Sequence, residues 1–365
     1  MTRPGPVPPP ARCPNCLQNV VWASTEAVII NPDGSEQPLV PRTAQEDHTQ
    51  FAARSMRAVR VCPGPGDRHY VPYQYGDYGE PIIIGLIGES TVGKTLLLTA
   101  MLGRLQNAPW LDSIGVQMRP LDAALHQRFA ATHLEPFLKR RAVLDATPLH
   151  QSSVEFTYAT TLHHRDGRPP VAIAFFDVSG DRLRDPGPHN AFLSAVNALI
   201  FVVDSTTIRS AGEQGRAETG DSTFELVIDQ LNRKYQYLDQ QFPDPFIPIP
   251  AAIVVGKADR LTYDRDEPTK RWFGVGDDDL ELSTISEESA DVYAFLASRG
   301  GGAYLKPALR LAPVTLHYAS ATNCQSADGF FPSRSFRQRR VLKPLLSLLV
   351  MKGVLDAGQL GQLHG

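Results

Sequence analysis

Residues 82–102 read IIIGLIGESTVGKTLLLTAML. A short apolar run, 82–87, meets Gly88; a turn follows, and Gly93-Lys94-Thr95 opens a leucine-rich segment, so the stretch reads as strand, loop, helix. The loop Gly88-Glu89-Ser90-Thr91-Val92-Gly93-Lys94-Thr95 satisfies the phosphate-loop pattern in full. Glycines at both ends let the backbone curl so that successive N–H groups face phosphate oxygens, and the helix from Lys94 adds the positive end of its dipole. In such a loop Lys94 reaches the outer phosphates and the Thr95 hydroxyl binds the magnesium that bridges them.

Downstream, further strands end in chemistry. Residues 171–176 (VAIAFF) run into Asp177-Val178-Ser179-Gly180. A carboxylate there suits magnesium beside a triphosphate, and the glycine N–H can approach the outer phosphate unobstructed. Between this strand and the first helix, Leu121, Leu125, Phe129 and Leu134 have helical spacing until Pro136 interrupts it, and 153–160 alternates like an edge strand. Thr147-Pro148 lies where a nucleotide switch offers a threonine, although loop filler explains it equally well.

Residues 198–203 (ALIFVV) form another buried strand ending at Asp204-Ser205, and a polar segment leads to a helix with Leu226, Val227, Ile228 and Leu231. A further strand, 251–255, ends in Gly256-Lys257-Ala258-Asp259. A buried strand ending in Lys-x-Asp offers what guanine requires: a carboxylate for the ring N–H and exocyclic amine, and a lysine stem to lie over the ring. Adenine would leave that carboxylate unpaired, at a cost of roughly a few kcal/mol. The strand at 314–318 leads to Ala319-Ser320-Ala321-Thr322, where a small residue and its N–H can meet the guanine oxygen.

Upstream, 1–12 is a proline-rich leader. Cys13-Pro14-Asn15-Cys16 then places two thiolates so that both can turn onto one metal ion, as in a zinc-ribbon knuckle. Cys62-Pro63-Gly64-Pro65-Gly66 supplies a third cysteine in a second turn, and His69 or His48 the fourth ligand of a Cys3His zinc site. Between them, Val28-Ile29-Ile30 and Asn31-Pro32-Asp33-Gly34 read as a small hairpin. The alternative is a set of reduced structural cysteines, and Cys324 has no assigned role.

With 365 residues, 42% of them hydrophobic, the chain suffices for about two domains. Its net charge of −3 gives no bulk preference for nucleic acid or anionic membrane, so no DNA is expected as a partner. No apolar run approaches the ~18 residues of a membrane helix and no signal-peptide core opens the chain, which makes a cytoplasmic location the expectation.

Four motifs in order, over about residues 82–352, make the chain resemble the Ras-like GTPases of the translation-factor-related class. With its zinc-knuckle-like start it also looks like the bacterial double-GTPase group, proposed to act in conflict or signalling systems. The resemblance implies an α/β P-loop NTPase with a mostly parallel sheet flanked by helices, preceded by a small zinc-ribbon-like module. The expected segments are a leader 1–12, the module and linker 13–80, the GTPase domain 81–352 and a tail 353–365.

Carried over residue by residue, it implies phosphate binding by Gly88, Gly93 and Lys94, and magnesium binding by Thr95 and Asp177. It also implies outer-phosphate sensing by Gly180 and base recognition by Lys257, Asp259, Ser320 and Ala321. The expected function is a magnesium-dependent, GTP-hydrolysing switch that acts on a protein partner; the alternative is a nucleotide-binding adaptor with little turnover. Two departures stand out. Gly256 replaces the usual asparagine or threonine that ties the base loop to the phosphate loop, and Asp181 replaces a glutamine that orients water. Slow intrinsic hydrolysis follows, unless a partner, Arg182 or Arg184 supplies positive charge; Asp181 could instead simply cap a helix.

Overall fold

The computed structural model describes residues 10–31, 33–43, 45–106, 108–144, 154–178, 189–208, 220–236, 246–263, 269–273 and 279–361. Backbone proximity divides the chain into two units: Met1–Ile82 with Gly115–Gln127 and Tyr158–Ala174, and Ile83–Ile114 with Arg128–Thr157 and Phe175–Gly365.

In the first unit, β1 (Ala11–Arg12) and β2 (Asn19–Val20) form an antiparallel ribbon around the Cys13–Cys16 turn. A four-stranded antiparallel sheet follows, built from β3 (Ala27–Ile30), β4 (Glu36–Pro38), β5 (Ala58–Val61) and β6 (Tyr70–Pro72) in the order β4-β3-β5-β6. The expected hairpin is β3–β4, its turn closed by the Gly34 N–H donating to Asn31 O at 2.9 Å. Two more strands and a helix, His48–Ser55, extend it; Asp47 and Gln50 form a capping box at the helix start. Trp22 and Tyr75 pack edge to face at 5.1 Å and are almost fully buried. The Trp22 indole N–H donates to Ala11 O and the Tyr75 hydroxyl to Arg12 O, which fastens β1.

The large sheet has seven strands: β7 (Ile82–Ile87), β8 (Val116–Pro120), β9 (Val154–His164), β10 (Val171–Val178), β11 (Ala198–Asp204), β12 (Ala251–Gly256) and β13 (Val314–Tyr318). Their order is β13-β12-β11-β7-β10-β9-β8. The pairs β7–β11, β11–β12 and β12–β13 are parallel, and β8–β9 is antiparallel. Every residue of β7, β11 and β12 is buried, which is why these parallel strands read as continuous apolar runs. From β7 the chain first builds β8, β9 and β10 on one side, then β11, β12 and β13 on the other. The reversal falls at the carboxyl end of β7, where open α/β sheets hold their ligands. The helix Lys94–Gln106 starts there.

Two expectations change. The strand at 154–164 is not the edge, because β8 lies outside it. Pro120 ends β8 on that edge, where its missing N–H costs little. Nor does Pro136 end its helix: Ala123–Phe129 continues into a π-helical stretch, Ala130–Lys139, closed by the Arg140 N–H on Glu135 O at 3.3 Å. The wider turn takes the proline ring without the clash an α-helix imposes. No described helix is long and apolar enough to cross a membrane.

Candidate nucleotide and metal sites

β7 delivers Gly88 into a space with no room for a side chain, since an added Cβ would lie 2.9 Å from Val202 O and 3.0 Å from Val92 Cγ2. Gly93 needs its freedom for conformation instead: it sits at φ +100°, with Thr91 also positive at +72°. Such a curl lets backbone N–H groups converge on an anion. Lys94 is 6% exposed and folds back into the loop. Its Nζ donates to Gly88 O at 2.7 Å and Glu89 O at 2.9 Å, and lies 3.5 Å from Asp177 Oδ1.

Asp177, near the end of β10, has a buried Oδ1 without a hydrogen bond. Burial pushes its carboxyl above the ordinary range, while the Lys94 charge and the Thr95 hydroxyl pull the other way. A buried carboxylate oxygen that no hydrogen bond satisfies and that the Lys94 ammonium faces, beside a helix-start threonine, belongs to a hard-oxygen donor set that fits magnesium.

On the base side, β12 ends and Lys257 takes φ +53°. Asp259 Oδ1 accepts from Ser320 Oγ at 2.6 Å, and Ser320 Oγ in turn accepts the Asn323 N–H at 2.8 Å, so the carboxylate is oriented from behind. Ser320 is itself fixed by paired backbone bonds with Arg339, at 2.9 and 2.8 Å. A cavity of about 180 Å³ is lined by Val92 and Gly93 of the loop together with Lys257, Asp259, Ser320 and Ala321. Cys324 lines it as well.

The structure also contains a contact with no counterpart in the sequence analysis. Asp221 Oδ2 accepts the Glu89 N–H at 2.6 Å and Oδ1 the Thr223 N–H at 2.7 Å, joining the phosphate loop to the start of the helix Ser222–Gln236. An aspartate ahead of a helix is a readable cap signal; its partner in the loop leaves no spacing pattern. Thr147, Pro148, Ser179, Gly180, Asp181, Arg182 and Arg184 lie outside the described residues, as does the side chain of His48.

In the first unit, Cys13, Cys16, Cys62 and His69 offer ligand atoms all within 4.8 Å of one another. Cys13 and Cys62 are buried. Around a tetrahedral zinc with Zn–S of ~2.3 Å, sulfurs stand ~3.8 Å apart; Cys16 and Cys62 are 3.6 Å apart. The Asp67 carbonyl can only accept, so the His69 Nδ1–H donates to it at 2.8 Å and Nε2 turns to the sulfurs, 3.3 Å from Cys13. That is the tautomer and outer hydrogen bond a zinc-ligating histidine uses. Without metal, hydrogen bonds from Cys13 and Cys62 hold the Cys16 thiol below its ordinary range, and those to Cys16 and Cys62 push His69 up to about 10, so Nε2 carries a proton toward the sulfurs that a zinc ion would displace. The donor set fits zinc.

No protein-family model and no curated protein matches the sequence. Among solved structures, the chain is similar to the S. cerevisiae Ski7 GTPase-like domain bound to GTP, at 12% identity and a TM-score of 0.32. The match covers 77% of this chain and 52% of that one, so this chain spans about half the length of the structure it resembles.

Proposed function

We propose that the chain binds GTP and hydrolyses it slowly, as a switch read by a protein partner in the cytoplasm. The observation that carries this reading is the single cavity shared by the phosphate loop and by Lys257, Asp259, Ser320 and Ala321. Phosphates would draw the Lys94 ammonium away from the Gly88 and Glu89 carbonyls that it now serves. Thr95 and Asp177 would hold magnesium, which when bound neutralises charge on the outer phosphates. Asp259, already oriented by Ser320, would accept from the two donors on the guanine edge; adenine has no such pair there. In the other unit, zinc on Cys13, Cys16, Cys62 and His69 would act as a structural staple. The expectation of slow turnover comes from the sequence alone: Asp181 stands where many of the GTPases the chain resembles carry a glutamine, and a carboxylate would orient water poorly there.

The test is fluorescent-nucleotide titration of the full chain with and without magnesium, followed by single-turnover hydrolysis. Magnesium-dependent GTP binding that Lys94→Ala reduces by about 100-fold or more supports the reading. Binding unaffected by Lys94→Ala would mean that the loop does not hold phosphate.

A further inference from the structure

Gly256 has no side chain to tie the base loop to the phosphate loop, yet the two loops are tied. Lys257 spans them, its Nζ donating to Asp204 Oδ2 at 2.5 Å and reaching Thr91 O of the phosphate loop at 3.4 Å. Asp204 is the register partner of Gly256 on the neighbouring parallel strand. Its other oxygen is pinned by the Thr206 N–H at 2.9 Å and the Thr206 hydroxyl at 2.7 Å. Ser205 then donates its hydroxyl to Lys257 O at 2.9 Å. Residue 257 is thus gripped at both ends, its ammonium by Asp204 and its carbonyl by Ser205. It needs the grip, since its φ of +53° is a left-handed conformation that a non-glycine residue adopts only when its surroundings over-determine it.

We infer that Asp204 and Ser205 are positioning residues that take over the missing asparagine's task, clamping the base-reading loop to the phosphate loop before the nucleotide arrives. Asp204 is 9% exposed, while the Lys257 side chain facing it is 32% exposed, so the pair is half-buried and water screens it in part. Burial alone would raise its carboxyl, but the hydrogen bonds from Lys257 and Thr206 outweigh burial and hold it below the ordinary range. The carboxylate is therefore ionised at neutral pH and keeps the lysine stem in one place. A stem held in advance loses less freedom on binding, and affinity rises accordingly.

This inference rests on the nucleotide reading above, and unmodified protein tests that reading first: a chain that binds no guanine nucleotide removes it without any variant. Given binding, Asp204→Asn keeps shape and removes charge. It is expected to lower GTP and GDP affinity alike by about tenfold, the scale of one charge-assisted bond, with the melting temperature little changed. Adding Gly256→Asn to Asp204→Asn restores the missing tie and should recover most of the loss, which a merely structural defect would not allow. At 256 an added Cβ would lie 3.4 Å from Val203 O, close to ordinary contact. Wild-type affinity in Asp204→Asn, or a loss that Gly256→Asn leaves untouched, overturns the clamp. If Asp204→Asn does not fold, Ser205→Ala decides: it removes one oxygen only, and unchanged affinity overturns the proposal while a loss of about threefold or more upholds it.

Discussion

At Gly64 an added Cβ would lie 2.4 Å from the sulfur of Cys16 and 3.3 Å from that of Cys62. No real side chain makes the first contact, so Gly64→Ala must push aside the Cys16 sulfur, a proposed zinc ligand. Zinc affinity should fall at least about tenfold, read by competition with a chromogenic chelator; an unchanged affinity would show that Cys16 is not a ligand. The residue types and turns of this cluster are legible in the sequence, because two-residue spacing and Cys-Pro-Gly turns are local signals. The hydrogen bond between Asp221 and the Glu89 N–H was not, because its partners are 132 residues apart and one of them is backbone. The same holds for Asp204 with Lys257: each ends an apolar run, and only strand adjacency brings them together.

At the scale of elements, β13 ends on the base loop and is held there by buried charge. Glu288, on the helix Ile285–Ser298, accepts the Tyr318 N–H at 2.9 Å and pairs with Arg340 at 2.8 Å, His317 at 3.3 Å and Lys343 at 4.0 Å. All four side chains are essentially inaccessible. Burial raises the Glu288 carboxyl, but His317, Arg340 and Lys343 overcome it and bring it from 4.5 to about 2. A folded value below the unfolded one contributes stability above pH 4.5, lost as the pH falls from there toward 2. The contribution is about 3 kcal/mol by that linkage. Urea unfolding at pH 6 and pH 3 should show the wild type losing about 2 kcal/mol more than Glu288→Gln, since a carboxyl titrating at about 2 is still largely ionised at pH 3; equal losses in both proteins would mean that the Glu288 charge does not stabilise the fold. Elements themselves were legible in proportion to their burial. β7, β11 and β12 read as plain apolar runs, whereas β5, β6 and β8 are short, half-exposed and interrupted by arginine or proline, and no local pattern marks them.

At the scale of the whole molecule, the N-terminal part of the first unit, residues 10–80, joins small sheets and a few buried side chains to four candidate zinc ligands, with no disulfide among its described cysteines. So small a core usually needs a staple. Chelation should therefore speed amide hydrogen exchange in β3, β5 and β6, and unaltered exchange would mean that this sheet stands without metal. The second unit gathers the ends of β7, β10, β11, β12 and β13 at one switch point, and in the proposed function this gathering reads guanine. Titrating GTP, ATP and xanthosine triphosphate against wild type and Asp259→Asn tests it most directly. Xanthine presents an acceptor where guanine presents its amine, so the account predicts that the wild type prefers GTP over ATP and that Asp259→Asn exchanges GTP for xanthosine triphosphate by about 100-fold or more. Equal GTP and ATP affinities in the wild type, or an Asp259→Asn variant with unaltered preference, would contradict it.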